Sequence, residues 1–115
     1  MNTIDKKEAL KIWDYELGNK DYAYDFAMRK IKRSDYGENN SVGWVIGLLK
    51  PESQGGVFND GNRCIMHHNT FSEKGDNYPS FIILNKNYTV KYDEKNDYYY
   101  IEKEINNDID EGGLV

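Results

Sequence analysis

The sequence is short of cysteine, long apolar runs and positive charge, and each shortage removes a class of explanation. Its single cysteine, Cys64, excludes an intramolecular disulfide and a zinc site built on several cysteines. The ordinary place for such a residue is a small buried position on a strand. No apolar run approaches the roughly 20 residues that a membrane span requires. The stretch from Met1 to Leu17 carries acids throughout and has no apolar centre like that of a signal peptide,. A soluble, cytoplasmic protein with no membrane partner is expected. The chain has 15 Lys and Arg against 20 Asp and Glu, a net charge of −5. Because cationic side chains supply most affinity for phosphate backbones, that balance speaks against a nucleic-acid partner. Proline is scarce too, with Pro51 and Pro79 each ending an element,.

Aromatics are plentiful: two Trp, ten Tyr and four Phe among 115 residues, too many for a disordered chain,. The length fits a single domain, placed at 1–105, with an acidic, aperiodic tail at 106–115. Residues 1–42 balance eight cations with eight acids, while 81–115 carry four against eight, so the acidity gathers at the C-terminal end,.

Ala9, Leu10, Trp13 and Leu17 recur at helical spacing behind a cap at Thr3, and Gly18 ends that helix,. Ala23, Phe26, Ala27 and Ile31 predict a second helix over Asp21 to Arg33,. Its basic knot of Arg29, Lys30, Lys32 and Arg33 would complement the helix C-terminus. Trp44 to Leu49 reads as a buried strand, Pro51 to Asn62 as a glycine-rich loop, and Arg63 to His67 as a second strand. Thr70 or Ser72 caps a short helix near Ser72 to Asp76,. Three strands follow: Ser80 to Leu84, Tyr88 to Tyr92 and Tyr98 to Lys103, the first two joined by a turn at Asn85-Lys86,. The expected fold class is α+β, with two N-terminal helices, a strand–loop–strand–helix unit and a C-terminal antiparallel β-meander.

The middle of the chain carries the most specific pattern. It runs Gly43-Trp44-Val45-Ile46-Gly47-Leu48-Leu49-Lys50-Pro51, then Gly55-Gly56, Asn62, and Thr70-Phe71-Ser72-Glu73-Lys74. This resembles the HNH endonuclease family, whose pattern is Trp-x-x-Asp-His-Ile-x-Pro-x-x-x-Gly-Gly, five residues, Asn-Leu, and then Thr-Asn-x-x-Lys. Trp44, Pro51, Gly55, Gly56, Asn62, Thr70 and Lys74 fall in register without a gap, and the likeness extends upstream to about Asp25. It implies an HNH-like ββα unit. The departures fall on the chemistry, since Gly47 stands at the metal-binding Asp, Leu48 at the general-base His, and Phe71 at the second metal ligand. Hydrolysis of that kind needs a divalent cation on oxygen or nitrogen donors and a histidine to activate water. Glycine, leucine and phenylalanine supply neither. Asn62, which orients a catalytic loop in the family, is retained.

The resemblance thus implies a fold kept and a catalytic site erased, with no metal and no cofactor. Candidate contact residues are Trp44, His67, His68 and the run Tyr98, Tyr99 and Tyr100, which puts aromatics on both faces of one strand,. Adjacent strand residues point apart, so His67 and His68 are expected to be structural rather than a chelating pair. Glu73 and Asp76, three apart on a helix, are expected on a solvated face. The leading functional expectation is a non-catalytic protein that binds a macromolecular partner, by analogy with acidic, tyrosine-rich phage inhibitors of bacterial defence nucleases, including anti-CRISPR proteins. Two other readings stand beside it: a divalent-metal nuclease with a relocated site at His67 or His68, and a non-catalytic DNA-binding module.

Overall fold

The structure, a computed structural model, describes residues 4–105, so Thr3 and the tail at 106–115 lie outside the described residues. Helix α1, Lys6–Leu17, is capped by Asp5, whose carboxylate accepts the Glu8 N–H at 2.8 Å,. Gly18 ends it with φ 81° and returns an N–H to the Asp14 carbonyl,. The face so formed buries Ala9, Ile12 and Trp13, with Leu10 and Leu17 packed at its margin,.

The second helix expected from Asp21 to Arg33 is not there. The chain forms a hairpin instead, β1 (Tyr22–Tyr24) antiparallel to β2 (Lys30–Lys32). Asp25 makes the turn: one carboxylate oxygen accepts the N–H groups of Ala27 and Arg29, each at 3.0 Å, and Met28 takes φ 68°,. The apolar residues that mimic a helical stripe meet by pairing, since Ala23 lies directly opposite Ile31,. With no helix end here, the basic knot has no macrodipole to complement. Arg33 reaches back to Asp14 through two hydrogen bonds of 2.9 Å, which raises its pKa and ties β2 to α1,.

Strand β3 (Trp44–Leu48) pairs antiparallel with β4 (Arg63–His67), and helix α2 (His68–Lys74) follows directly. The cap of α2 is neither Thr70 nor Ser72. His67 Nδ1 accepts the Asn69 N–H at 3.0 Å, so the helix starts at His68,. The meander is present as β5 (Ser80–Ile83), β6 (Lys86–Asp93) and β7 (Tyr98–Lys103), hydrogen-bonded in that order. Its first turn falls at Leu84-Asn85, one residue earlier than expected, with φ 53° and 64° as a two-residue type I′ turn demands,. That register keeps Phe81 and Ile83 on the buried face with Tyr88. A one-residue slip would turn them outward,.

The protein is therefore α+β, with two helices and three antiparallel sheets among the described residues. The β3–β4 sheet separates two apolar cores. One joins Ala9, Ile12, Trp13, Ile31, Trp44, Ile46 and Ile65. The other joins Ala27, Leu49, Met66, Phe81, Ile83, Tyr88 and Val90, with Phe26, Phe71 and Tyr99 packed against it. Each large apolar side chain so buried contributes about 1.5–3 kcal/mol. No helix among the described residues is long and apolar enough to cross a membrane.

Candidate functional site

Alternation along β3 decides what faces α2. Trp44 and Ile46 turn toward α1, so Gly47, opposite Cys64, turns the other way toward Phe71,. A Cβ added at Gly47 would lie 2.9 Å from Phe71 Cδ1, 3.1 Å from Phe71 Cε1 and 3.2 Å from Met66 Cε. Positions 47 and 71 share one volume. The absent side chain at 47 is what lets the ring at 71 lie against the strand. From sequence, Trp44, Ile46, Leu48 and Phe71 would be expected to fill the emptied site as one continuous apolar cluster; they do not, because the sheet assigns Trp44 and Ile46 to one core and Phe71 to the other. Leu48, 8% exposed, ends β3 and lines a cleft with Phe71 instead.

No family model, curated protein or solved structure matches the chain. The likeness to HNH enzymes therefore stands on the seven matched positions, and the geometry of those residues is what can be weighed. Asn62 is 1% exposed and clamps the loop between the strands: its Oδ1 accepts the Lys50 N–H at 2.8 Å, and its amide donates to the carbonyls of Lys50 and Val57 at 3.0 and 2.9 Å. The glycines of that loop have a steric reason too, since a Cβ at Gly56 would overlap the Lys50 carbonyl,. Trp44, proposed as a contact residue from sequence, has no exposed surface. Its Nε1 donates to the Lys32 carbonyl at 2.8 Å, and its ring packs on Trp13 and Tyr36 at 4.9 and 5.0 Å, so it is a core anchor,.

His67 and His68 do not point apart, because the chain changes from strand to helix between them. Their rings stack with centroids 4.6 Å apart. His67 Nε2 bonds the Ser41 carbonyl at 2.9 Å, and His68 Nε2 bonds the Asn40 carbonyl at 2.8 Å. With Nδ1 of His67 accepting from Asn69, the ring carries its proton on Nε2 and donates it to Ser41,. Both imidazoles hold the loop that enters β3. Among the described residues, no three His, Cys, Asp or Glu side chains are grouped so as to hold a metal ion.

Two residues organise the neighbourhood: Asp25, which sequence reasoning gave no role, and Arg29, which it placed at a helix end. Asp25, 5% exposed, uses its second carboxylate oxygen to accept the His67 N–H at 2.9 Å, joining the β1–β2 turn to β4. Arg29 donates to Thr70 Oγ1 at 3.0 Å and grips Glu73 with bonds of 3.1 and 3.0 Å, joining the same turn to α2,. Glu73 is thus held by an ion pair rather than merely solvated. The partners lie more than forty positions apart. No local pattern in the sequence signals these ties.

The candidate tyrosines separate by face. Tyr98 and Tyr100, opposite Asp93 and Lys91, are exposed on the outer side of the meander with ring centroids 5.9 Å apart. Tyr99 turns inward onto the second core beside Tyr92.

Between the β3–β4 loop and α2 lies a cleft of about 510 Å³. Leu48, Pro51 and Phe71 supply its apolar lining; Glu52, Ser53, Ser72 and Asp76 supply its polar groups. Behind it, Lys74 is buried, its Nζ donating to the Asn77 carbonyl at 3.3 Å and lying 5.3 Å from the Phe81 ring centre. Burial lowers the Lys74 pKa and pushes the Cys64 thiol up to about 12,.

Proposed function

We propose that this chain is a non-catalytic, HNH-like module that acts by binding a protein partner, in the manner of a phage inhibitor of a bacterial defence nuclease. The observation that carries the reading is the Phe71 ring against Gly47: hydrocarbon occupies the space that the likeness assigns to a ligand pair. Loss of ligands alone would leave a vacancy. A ring fitted to a glycine is a repacked site, and repacking favours a scaffold kept for its shape. The clamp of Asn62 and the Asp25–His67 tie support the same reading, because they hold the loops in place around a cleft without charged catalytic groups at positions 47, 48 and 71. A relocated metal site at His67 and His68 has less support, since both Nε2 atoms are engaged by backbone carbonyls. The acid excess favours a protein that meets a basic surface over one that meets phosphate,.

Tyr98 and Tyr100 are the side chains that this reading commits to contact, being large, exposed and mounted on a regular strand,. Affinity capture from a nuclease-treated bacterial lysate tests it. A protein should be retained by the wild-type chain and lost, or weakened at least about tenfold, by Tyr98→Ala/Tyr100→Ala. Retention of nucleic acid alone from a parallel untreated lysate, with no protein retained from the treated one, would sink the proposal.

A further inference from the structure

We infer that β5 is a pairing edge, along which two copies of this chain join antiparallel over Ser80 to Leu84 to make one six-stranded sheet. This goes beyond the protein-binding reading and does not depend on it. The Val90 N–H donates to the Pro79 carbonyl at 2.8 Å, and the tight turn at Leu84-Asn85 closes the same ladder, so residues 79, 81 and 83 direct their backbone groups at β6,. The N–H and C=O groups of Ser80 and Ile82 point the other way. Among the described residues nothing bonds them; the Ser80 hydroxyl alone finds a partner, in Thr89. An edge left so is a template for another strand.

The other edge of the same sheet is protected. On β7 the outward N–H of Tyr99 donates to the Gly61 carbonyl at 2.7 Å, and Glu102, Lys103 and Glu104 put charge along the rest,. β5 has neither device. Its run Ser80-Phe81-Ile82-Ile83-Leu84-Asn85 carries no charge, while Ile82 is 62% exposed and Leu84 56%,. Phe81 and Ile83 turn into the core, so a strand laid beside β5 would cover Ile82 and Leu84.

The occupant is a second copy, because this edge is complementary to itself. A two-fold axis at Ile82 sets Ile82 of one copy against Ile82 of the other and Leu84 against Ser80, with outward N–H groups meeting outward carbonyls. No like charges meet along the paired strands, although each chain carries −5,. The same axis carries the Lys86 end of one hairpin toward the Asp76 end of the other, cation toward carboxylate,. Assembly stops at two, because the edges then left outside are the charged β7 strands. A contact this small lies at the weak end of protein interfaces, so a dissociation constant on the order of 100 μM is expected.

Sedimentation velocity of the full chain over about 5 μM to 1 mM tests it. The mass should rise from one chain to two across that range. Ile82→Lys, at an exposed position, should weaken association at least about tenfold. So should Ile82→Pro, which removes an outward N–H that the β6 ladder does not use. Tyr98→Ala/Tyr100→Ala should leave association unchanged, so this result and partner capture are read apart. By amide hydrogen exchange, Ser80 and Ile82 should gain protection at high concentration while Ile101, on the other edge, does not. A chain that stays single throughout, or a dimer that either folded Ile82 variant leaves unweakened, would overturn the inference. So would a dimer lost in the tyrosine variant, or one without added protection at Ser80 and Ile82.

Discussion

Phe71 and Gly47 can be interrogated as a pair, because one volume cannot hold both a ring and an extra side chain. Alanine in place of a strand glycine ordinarily stabilises, by about 0.5–1 kcal/mol. Here Gly47→Ala should destabilise by about 1–3 kcal/mol through overpacking, and in a Phe71→Ala background its sign should reverse. Urea denaturation of the four proteins measures the coupling, and simple additivity would disprove the shared volume. Cys64 supplies a pH prediction. The thiol ionises near 9 when unfolded but resists until about 12 when folded, so above pH 9 the unfolded chain binds fewer protons and stability falls as pH rises,. Lys74 acts oppositely up to its ordinary value of 10.5, because its lowered pKa means the unfolded chain holds a proton the folded one has shed. Cys64→Ala should therefore remove the downward part. Between pH 9 and 10 the variant should lose less stability than wild type, by up to about 1.4 kcal/mol. An identical pH profile for the two would refute the assignment.

The elements that could be read from sequence are those whose burial pattern outlasts one turn of chain. Phe81 and Ile83, Tyr88 and Val90, and Tyr99 and Ile101 alternate long enough to show the meander and its buried face,. The strands of the first hairpin have three residues each, too few to alternate, and Ala23, Phe26, Ala27 and Ile31 happen to fall at helical spacing. What decides against the helix is Asp25, whose carboxylate serves the turn and β4 at once through three backbone N–H groups. Replacing it separates the two structures by measurement. On a helix surface Asp25→Ala would change stability by less than about 0.5 kcal/mol. As a buried acceptor of three N–H groups its loss should cost about 2–5 kcal/mol in chemical denaturation. The start of α2 was hidden for a related reason, since its cap is an imidazole and not a hydroxyl or carboxylate.

Across the whole molecule, the sequence shows where the chain departs from the HNH pattern but not how the residues at those positions pack. Gly47, Leu48 and Phe71 are legible as departures from a pattern. That Gly47 and Phe71 form one steric unit, and that Leu48 borders a cleft rather than joining the Trp44 core, depends on contacts made across the sheet. Asp25 and Arg29 fasten the hairpin to β4 and α2 over separations that no local pattern carries. Among the described residues they hold together two cores, the exposed pair Tyr98 and Tyr100, and the cleft lined by Leu48 and Phe71. On the proposed reading, hydrolysis at this place would require Asp, His and Asn together at positions 47, 48 and 71, along with the groups that orient them. The first of these already meets the Phe71 ring. The most direct test is the wild-type chain, purified free of contaminating nuclease, incubated with supercoiled plasmid in magnesium, manganese or zinc. The plasmid should remain supercoiled in all three. Reproducible nicking that disappears in His67→Ala or His68→Ala would contradict the account.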